Sequence, residues 1–247
     1  MKTSDIAKAL SVHVNTVRLY EEAGFLPPIP RGANRYRQYS DLHLEHAKLV
    51  RLTLHWPYLG DKELLFQLLR NAANANFGTA IELAFQYLAL IRMERTSTEA
   101  AIEFLEHWAA GNLLDAFEDT VTISEAAKRL KVSVDMLRNW ERNGLINVPR
   151  EVNSGYRLYG MREFGRIRVI RSLLQAGYSL MAILRMLQAY DAGQSENLGE
   201  KLELPLEESA NEHIEVIADH WLSSLIELES RAKAIIQQIR KLIELSH

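Results

Sequence analysis

The sequence predicts a mainly α-helical protein in which one compact unit is used twice, each copy followed by a long helix. Three observations carry this. The stretch at residues 11–39, SVHVNTVRLYEEAGFLPPIPRGANRYRQY, returns without a gap 120 positions later as KVSVDMLRNWERNGLINVPREVNSGYRLY at residues 131–159. Across residues 1–54 against 121–174, 14 of 54 positions are identical, and self-similarity at a fixed offset sets the architecture before any local reading. Finally, an apolar residue recurs every third or fourth position after each copy, as in a helix with one buried face.

Each copy justifies its elements in the same order. Residues 2–10 form a short helix with Ile6, Ala7 and Leu10 on one face. The counterpart opens with Thr122-Ile123-Ser124-Glu125, read as a capping box in which Thr122 and Glu125 satisfy each other's end groups. A tight turn follows, after which Ser133 is a good helix N-cap and His13 a poor one. The second helix stops at Gly24 or Gly144, left-handed residues past its end, and Phe25 or Leu145 folds back onto it. Val14, Val17 and Tyr20 point inward, as do Val134, Leu137 and Trp140. Asn15, Arg18, Leu19 and Glu22 point outward, as do Asp135, Arg138, Asn139 and Arg142. Two short helices joined this way, with an exposed arginine on the second, make a helix-turn-helix.

Next comes a Pro/Gly-rich loop and a short ribbon, a wing. Strict alternation puts Arg35, Arg37 and Tyr39 outward and Tyr36 inward, with Arg157 and Tyr159 outward and Tyr156 and Leu158 inward in the second copy. Amphipathic helices follow at residues 41–54 and 161–174. In copy two, Gly177-Tyr178-Ser179 turns the chain into a fourth helix capped by Ser179; His55-Trp56-Pro57-Tyr58 replaces that turn in copy one.

A helix over residues 79–110 follows, with a break expected near Arg95, because Thr96-Ser97-Thr98-Glu99 reads as a new cap. Gly111-Asn112 ends it and residues 113–120 are a linker. Residues 191–205, rich in Gly and Glu, read as a mobile loop. Ile214, Ala218, Trp221, Leu225, Leu228, Ala232, Ile235, Ile239 and Leu242 then repeat at 4–3 spacing, a helix-pairing seam. The domains expected are residues 1–70, a helical spacer at 71–120, residues 121–190, and a loop with a C-terminal coiled-coil helix at 191–247.

Composition narrows the function. With 47% hydrophobic and 25% charged residues the chain has an ordinary soluble globular composition, and it holds no apolar run near the length of a membrane span. No apolar signal core opens it, so a cytoplasmic protein is the default. The absence of cysteine excludes disulfides, thiolate metal sites and cysteine redox sensing. The net charge of −3 conceals an uneven distribution. Residues 1–54 carry eight Lys/Arg against five Asp/Glu and residues 121–175 eleven against five, while residues 191–247 carry five against twelve. Basic modules joined to acidic spacers suit local phosphate binding. No nucleophile motif or Gly-rich phosphate loop is present, so no enzyme and no cofactor is expected.

Helix-turn-helix, R-x-[YW]-E-x-x-G-[FL], Y-R-x-Y wing, amphipathic helix, G-Y-S turn and heptad helix together resemble the MerR family of bacterial transcription regulators. Copy two carries the resemblance through Arg138-Asn139-Trp140-Glu141, Gly155-Tyr156-Arg157-Leu158-Tyr159 and Gly177-Tyr178-Ser179; copy one carries it to about Leu54. The resemblance implies two winged helix-turn-helix domains, binding to double-stranded promoter DNA that is bent and untwisted, and RNA polymerase as a partner there. It implies DNA contacts by Arg18, Arg37 and Tyr39 and by Arg138, Arg157 and Tyr159. Family members have an aromatic residue where Leu19 and Asn139 stand, and they carry one module per chain and dimerise through antiparallel long helices. Here the two long helices of one chain could pair instead, and this intrachain pseudo-dimer is favoured over a homodimer.

Within that reading, Asn15, Thr16, Asp135 and Met136 near the helix N-termini face the bases, with Asn139 beside them. Arg37 and Arg157 contact phosphate or minor groove, and Arg35, on the same outward wing face, belongs to the DNA-binding set. His43 and His46, at i and i+3, read as a solvated face rather than a metal site, and Trp221 as a core aromatic. The function expected is sequence-specific regulation of transcription at an asymmetric site. The alternatives are an architectural DNA-bending protein, or an interaction scaffold in which one module is inactive for DNA.

Overall fold

The computed structural model describes residues 1–55, 58–111, 120–194, 196–203 and 220–246. They form two compact units: Met1–Met93 with Leu225–His247, and Glu94–Ser224. No helix among the described residues is long and apolar enough to cross a membrane. Strand pairing among these residues is limited to isolated bridges.

In the first unit, α1 (Thr3–Leu10) buries Ile6, Ala7 and Leu10. The Lys2 N–H donates to the Asp5 carboxylate at 2.7 Å, so an acid three residues into α1 does the capping that Lys2 cannot. The chain turns through Ser11, left-handed at φ 53°, into α2 (Val14–Glu22). His13 caps α2 after all: its Nδ1 accepts from the Asn15 N–H at 3.2 Å. Gly24, at φ +74°, ends α2 as expected, with the Phe25 N–H donating to the Tyr20 carbonyl. After the wing come α3 (Asp41–Thr53) and α4 (Lys62–Ala73), the latter capped by Asp61. The replacement turn lies partly outside the described residues, at Trp56 and Pro57.

His43 and His46 are not on a solvated face. Both are buried, because α3 is covered along its length rather than on one side. His43 Nδ1 accepts from the Ser40 N–H at 3.1 Å, and its Nε2 lies 3.3 Å from the Pro28 carbonyl. His46 stacks on Phe77, and burial, with a smaller contribution from the His43 charge, pushes its imidazole down to about 4.

The long helix α5 (Phe77–Ala109) is continuous, with no break at Arg95. Arg95 pairs with Glu99 one turn on, at 2.8 Å. The Thr98 hydroxyl bonds to the Glu94 and Ala176 carbonyls, at 2.9 and 3.2 Å, instead of capping a new helix. Residues of α5 up to Met93 belong to the first unit and the rest to the second.

The second unit repeats the module: α6 (Ile123–Leu130), α7 (Val134–Arg142), α8 (Met161–Gln175) and α9 (Leu180–Asp191). Ser133 and Ser179 cap α7 and α9 as read. The Thr122–Glu125 box closes only on one side. Thr122 Oγ1 accepts from the Glu125 N–H at 3.5 Å, while the Glu125 carboxylate pairs with Arg129 at 2.7 Å. The expected loop after α9 contains α10 (Leu198–Leu202), because Leu198 and Leu202, one turn apart, are buried in the unit's core. Residues 112–119, Ser195 and residues 204–219, with the seam positions Ile214 and Ala218, lie outside the described residues.

The last helix, α11 (Trp221–Leu245), joins the first unit from Leu225 onward. Its seam residues Leu225, Leu228, Ala232, Ile235, Ile239 and Leu242 are all fully buried within the single chain. Glu45 of α3 fastens it, accepting from Gln238 Nε2 at 2.7 Å and from Lys241 Nζ at 2.9 Å. Arg92 of α5 meets Glu229 at 3.1 Å. In the second unit the position equivalent to Glu45 is Gly165, and there Trp108 of α5 lies so close that a Cβ would sit 2.6 Å from its Nε1. Trp221 is part of this unit and packs against its core, over Gly177.

Candidate nucleic-acid interface

Each module presents the second helix of its helix-turn-helix to solvent. On α2, Asn15, Arg18 and Leu19 are exposed and Thr16 is half-buried; on α7, Asp135, Met136, Arg138 and Asn139 are exposed. The inward set is as expected, with Val17, Leu137 and Trp140 in the cores. The recognition arginines lie back along their helices to the same neighbour. Arg18 Nη1 is 3.3 Å from Asn15 Oδ1, and Arg138 Nη1 is 3.4 Å from Asp135 Oδ1. Asn139 accepts from Asn143 Nδ2 at 2.9 Å.

The wing differs from the alternating ribbon. It is a hairpin with one antiparallel bridge, Arg31 to Arg37 in the first module and Arg150 to Arg157 in the second. Its tyrosines face the reverse of the way expected, while Arg35 is exposed as expected. Tyr36 and Tyr156 are 72% and 71% exposed, whereas Tyr39 and Tyr159 are 3% and 0%. The cause is local. The residue before Tyr36 is left-handed, Arg35 at φ 62°, and Gly155 holds the same place at φ 70°. One left-handed residue ends the period of two, so the side chains after it exchange faces. Tyr39 and Tyr159 are core residues, whose phenols burial pushes up, and not surface contacts. Glycine at position 155 was the sequence signal for this turn.

The gap-free repeat also conceals a one-residue shift. Gln38 N–H bonds to the Pro30 carbonyl, but Leu158 N–H bonds to that of Pro149, which aligns with residue 29. The second wing therefore closes a turn one residue longer.

Arg37 and Arg157 are fixed to the recognition helix. Arg37 Nε is 2.5 Å from Glu21 Oε2, and Arg157 Nε is 2.6 Å from Glu141 Oε2. Arg150 adds a second cation to Glu141 at 3.5 Å. A guanidinium has five donors, so engagement of Nε leaves the fork able to bind an anion. Arg35 is exposed at the tip of the first wing. In the first module a groove of about 560 Å³ runs between Lys2, Thr3, Ser4, Val14, Arg18, Asn34, Tyr36 and Arg37, joining the start of α1, the recognition helix and the wing. Three cations and an exposed phenol ring around one groove can hold phosphate oxygens. Among the described residues no cluster of three His, Asp or Glu side chains is arranged to bind a metal ion.

Comparison with known proteins follows the same division. The family described as "MerR HTH family regulatory protein" matches residues 121–190, and that described as "MerR family regulatory protein" matches residues 2–39. The HTH-type transcriptional regulator ZntR homolog of Haemophilus influenzae is 40% identical over 50 residues, 20% of this chain and 37% of that protein. The probable heavy metal-dependent transcriptional regulator of the same organism is 38% identical over 71 residues, 29% of this chain and 56% of that protein. The mercuric resistance operon regulatory protein of Bacillus cereus is 30% identical over 73 residues, 30% and 55% of the two chains. The chain thus spans about half or less of the length of these curated relatives, all of which carry regulators' names and none an enzyme's. No solved structure matches it significantly. Both copies of the repeat match MerR regulatory family models, at residues 2–39 and 121–190, so each half of the chain carries one MerR-type module.

Proposed function

We propose that the chain is a sequence-specific DNA-binding regulator of transcription whose two modules, at residues 1–70 and 121–190, each dock a recognition helix and a wing on double-stranded DNA. The observation that carries this reading is the duplicated cation set. Arg18 with Arg37, and Arg138 with Arg157, occur in one arrangement in two modules that share about a quarter of their residues. Keeping the wing arginine latched to the recognition-helix glutamate in both copies supports activity of both modules rather than a scaffold with one silent copy. The reading includes action at promoters with RNA polymerase, in the cytoplasm. The names of the relatives point to metals, but with no cysteine this chain has no thiolate to offer a soft metal.

The test is binding to duplex DNA across a salt series. Contacts from two modules predict an affinity that falls steeply with salt, by about 0.9 in the logarithmic slope for each phosphate neutralised. A salt-independent affinity, or none, rejects the proposal.

The pairing of modules is proposed to be intrachain. Two observations support it. The α11 seam is buried within one chain. Each module is also packed by the long helix that follows the other, α11 through Glu45 and α5 through Trp108. A particle near 28.3 kDa by light scattering at all concentrations agrees with this; one near twice that mass rejects it.

A further inference from the structure

We infer that Asp135 and Arg138 together read a cytosine–guanine pair for the second module, and that Asn15, at the place of Asp135 in the first, selects adenine. This rests on the DNA-binding reading above and adds to it the base each module prefers.

The two recognition helices offer the same geometry with different chemistry. Asn15 and Asp135 are the second residues of α2 and α7, and each lies beside the arginine three residues on. Asp135 is 90% exposed and Arg138 54%, so both reach outward. An acid in the first turn suits the helix dipole, which accounts for its tolerance there but not for the amide in the sister module.

A carboxylate only accepts hydrogen bonds, whereas an amide both donates and accepts. In the major groove, cytosine offers the N4 donor and its guanine partner the O6 and N7 acceptors. Asp135 answers the first and Arg138 the second, so the ion pair is complementary to the base pair as a whole. Adenine sets its N6 donor beside the N7 acceptor; an amide matches both, and a carboxylate is repelled by N7. Asn15 Oδ1 holds Arg18, but a carbonyl oxygen has two lone pairs, so one remains for N6. Opposite thymine or guanine, Asp135 would be left without a donor in the field of the phosphates. The eleven Lys/Arg of residues 121–175 offset that field generally, while the local mismatch remains.

The experiment is selection of bound duplexes from a random pool, with the full chain as wild type, Asp135→Asn and Asn15→Asp. The expected wild-type site has a C·G pair in one half where the other half has adenine. In Asp135→Asn the cytosine is replaced by adenine and the halves become alike at that position. In Asn15→Asp the adenine is replaced by cytosine. The preference at the switched position should be roughly five- to hundred-and-fifty-fold, the range of a good side-chain–base match. A wild type that enriches a site, with variants that enrich the same bases at lower affinity, overturns this inference and leaves the DNA reading intact. A wild type that binds no duplex overturns both.

Discussion

Glu45→Gln tests how the C-terminal helix is held on the first module. Burial works against the Glu45 carboxylate, but hydrogen bonds from Lys48 at 2.8 Å, Gln238 at 2.7 Å and Lys241 at 2.9 Å outweigh it and hold the group at about 2, against 4.5 when free. Because the folded value is depressed, the stabilisation is present above pH 4.5 and is lost as pH falls towards 2. At roughly 1.4 kcal/mol per pH unit that gap amounts to about 3 kcal/mol near neutrality. The glutamate side chain is only 10% exposed, so little of this is screened by solvent. Both lysines are about half exposed and can rehydrate when the charge is removed, so about 3 kcal/mol is the upper bound for the variant. His46 gives a second acid window. Its folded value, pushed down to about 4, lies below the ordinary 6.5, so the unfolded chain takes up the proton first and stability falls as pH drops from about 6.5 to 4. Urea unfolding followed by far-ultraviolet circular dichroism should therefore show wild type losing stability through both windows. Glu45→Gln should start lower, keep the His46 decline, and lose little below pH 4.5, the two proteins converging near pH 2. If the two curves run parallel down to pH 3, Glu45 is not ionised in the way its contacts imply, and the reasoning fails.

Arg37→Ala or Arg157→Ala should weaken binding to all duplexes alike, by roughly 1–3 kcal/mol, and make the logarithmic salt slope shallower by about 0.9; fluorescence anisotropy in a salt series measures both. Gly177→Ala should cost more than Gly144→Ala. Both residues are left-handed, at φ +97° and +77°, but a Cβ on Gly177 would lie 2.6 Å from Trp221 Nε1 while one on Gly144 meets nothing closer than 3.8 Å. Gly144→Ala then shows the backbone strain alone, about 1–2 kcal/mol, and only Gly177→Ala should also shift Trp221 fluorescence. Leu228→Ala, in the buried α11 seam, should cost about 2–5 kcal/mol in urea unfolding.

Much of each module was legible in the sequence because its signals act over a few residues. The caps at Ser133 and Ser179, the stops at Gly24 and Gly144 and the 4–3 seam of α11 all follow from hydrogen bonds or periods that close within about one helical turn, and the repeat at an offset of 120 positions shows each of the shared signals twice. So do the outward positions of Asn15, Arg18, Asp135 and Arg138.

What sequence reading missed depended on partners far along the chain or on a single backbone angle. His43 and His46 have the spacing of a surface pair, yet α3 is also covered by α11, whose Gln238 bonds to Glu45 across 193 positions. Thr98 sits in a capping signature, but the Ala176 carbonyl, 78 residues away, gives its hydroxyl a partner inside a continuous helix. Leu198 and Leu202 lie in a stretch of loop-like composition and are drawn into a helix by a core that the rest of the second unit supplies. In the wing, one left-handed residue, Arg35 or Gly155, turned Tyr36 and Tyr156 outward and Tyr39 and Tyr159 inward. The sequence by itself determined the helices of the repeated module and the duplicated cation set. Tertiary structure decided which faces are covered, because burial depends on the neighbour that arrives and not on the period that makes a face apolar.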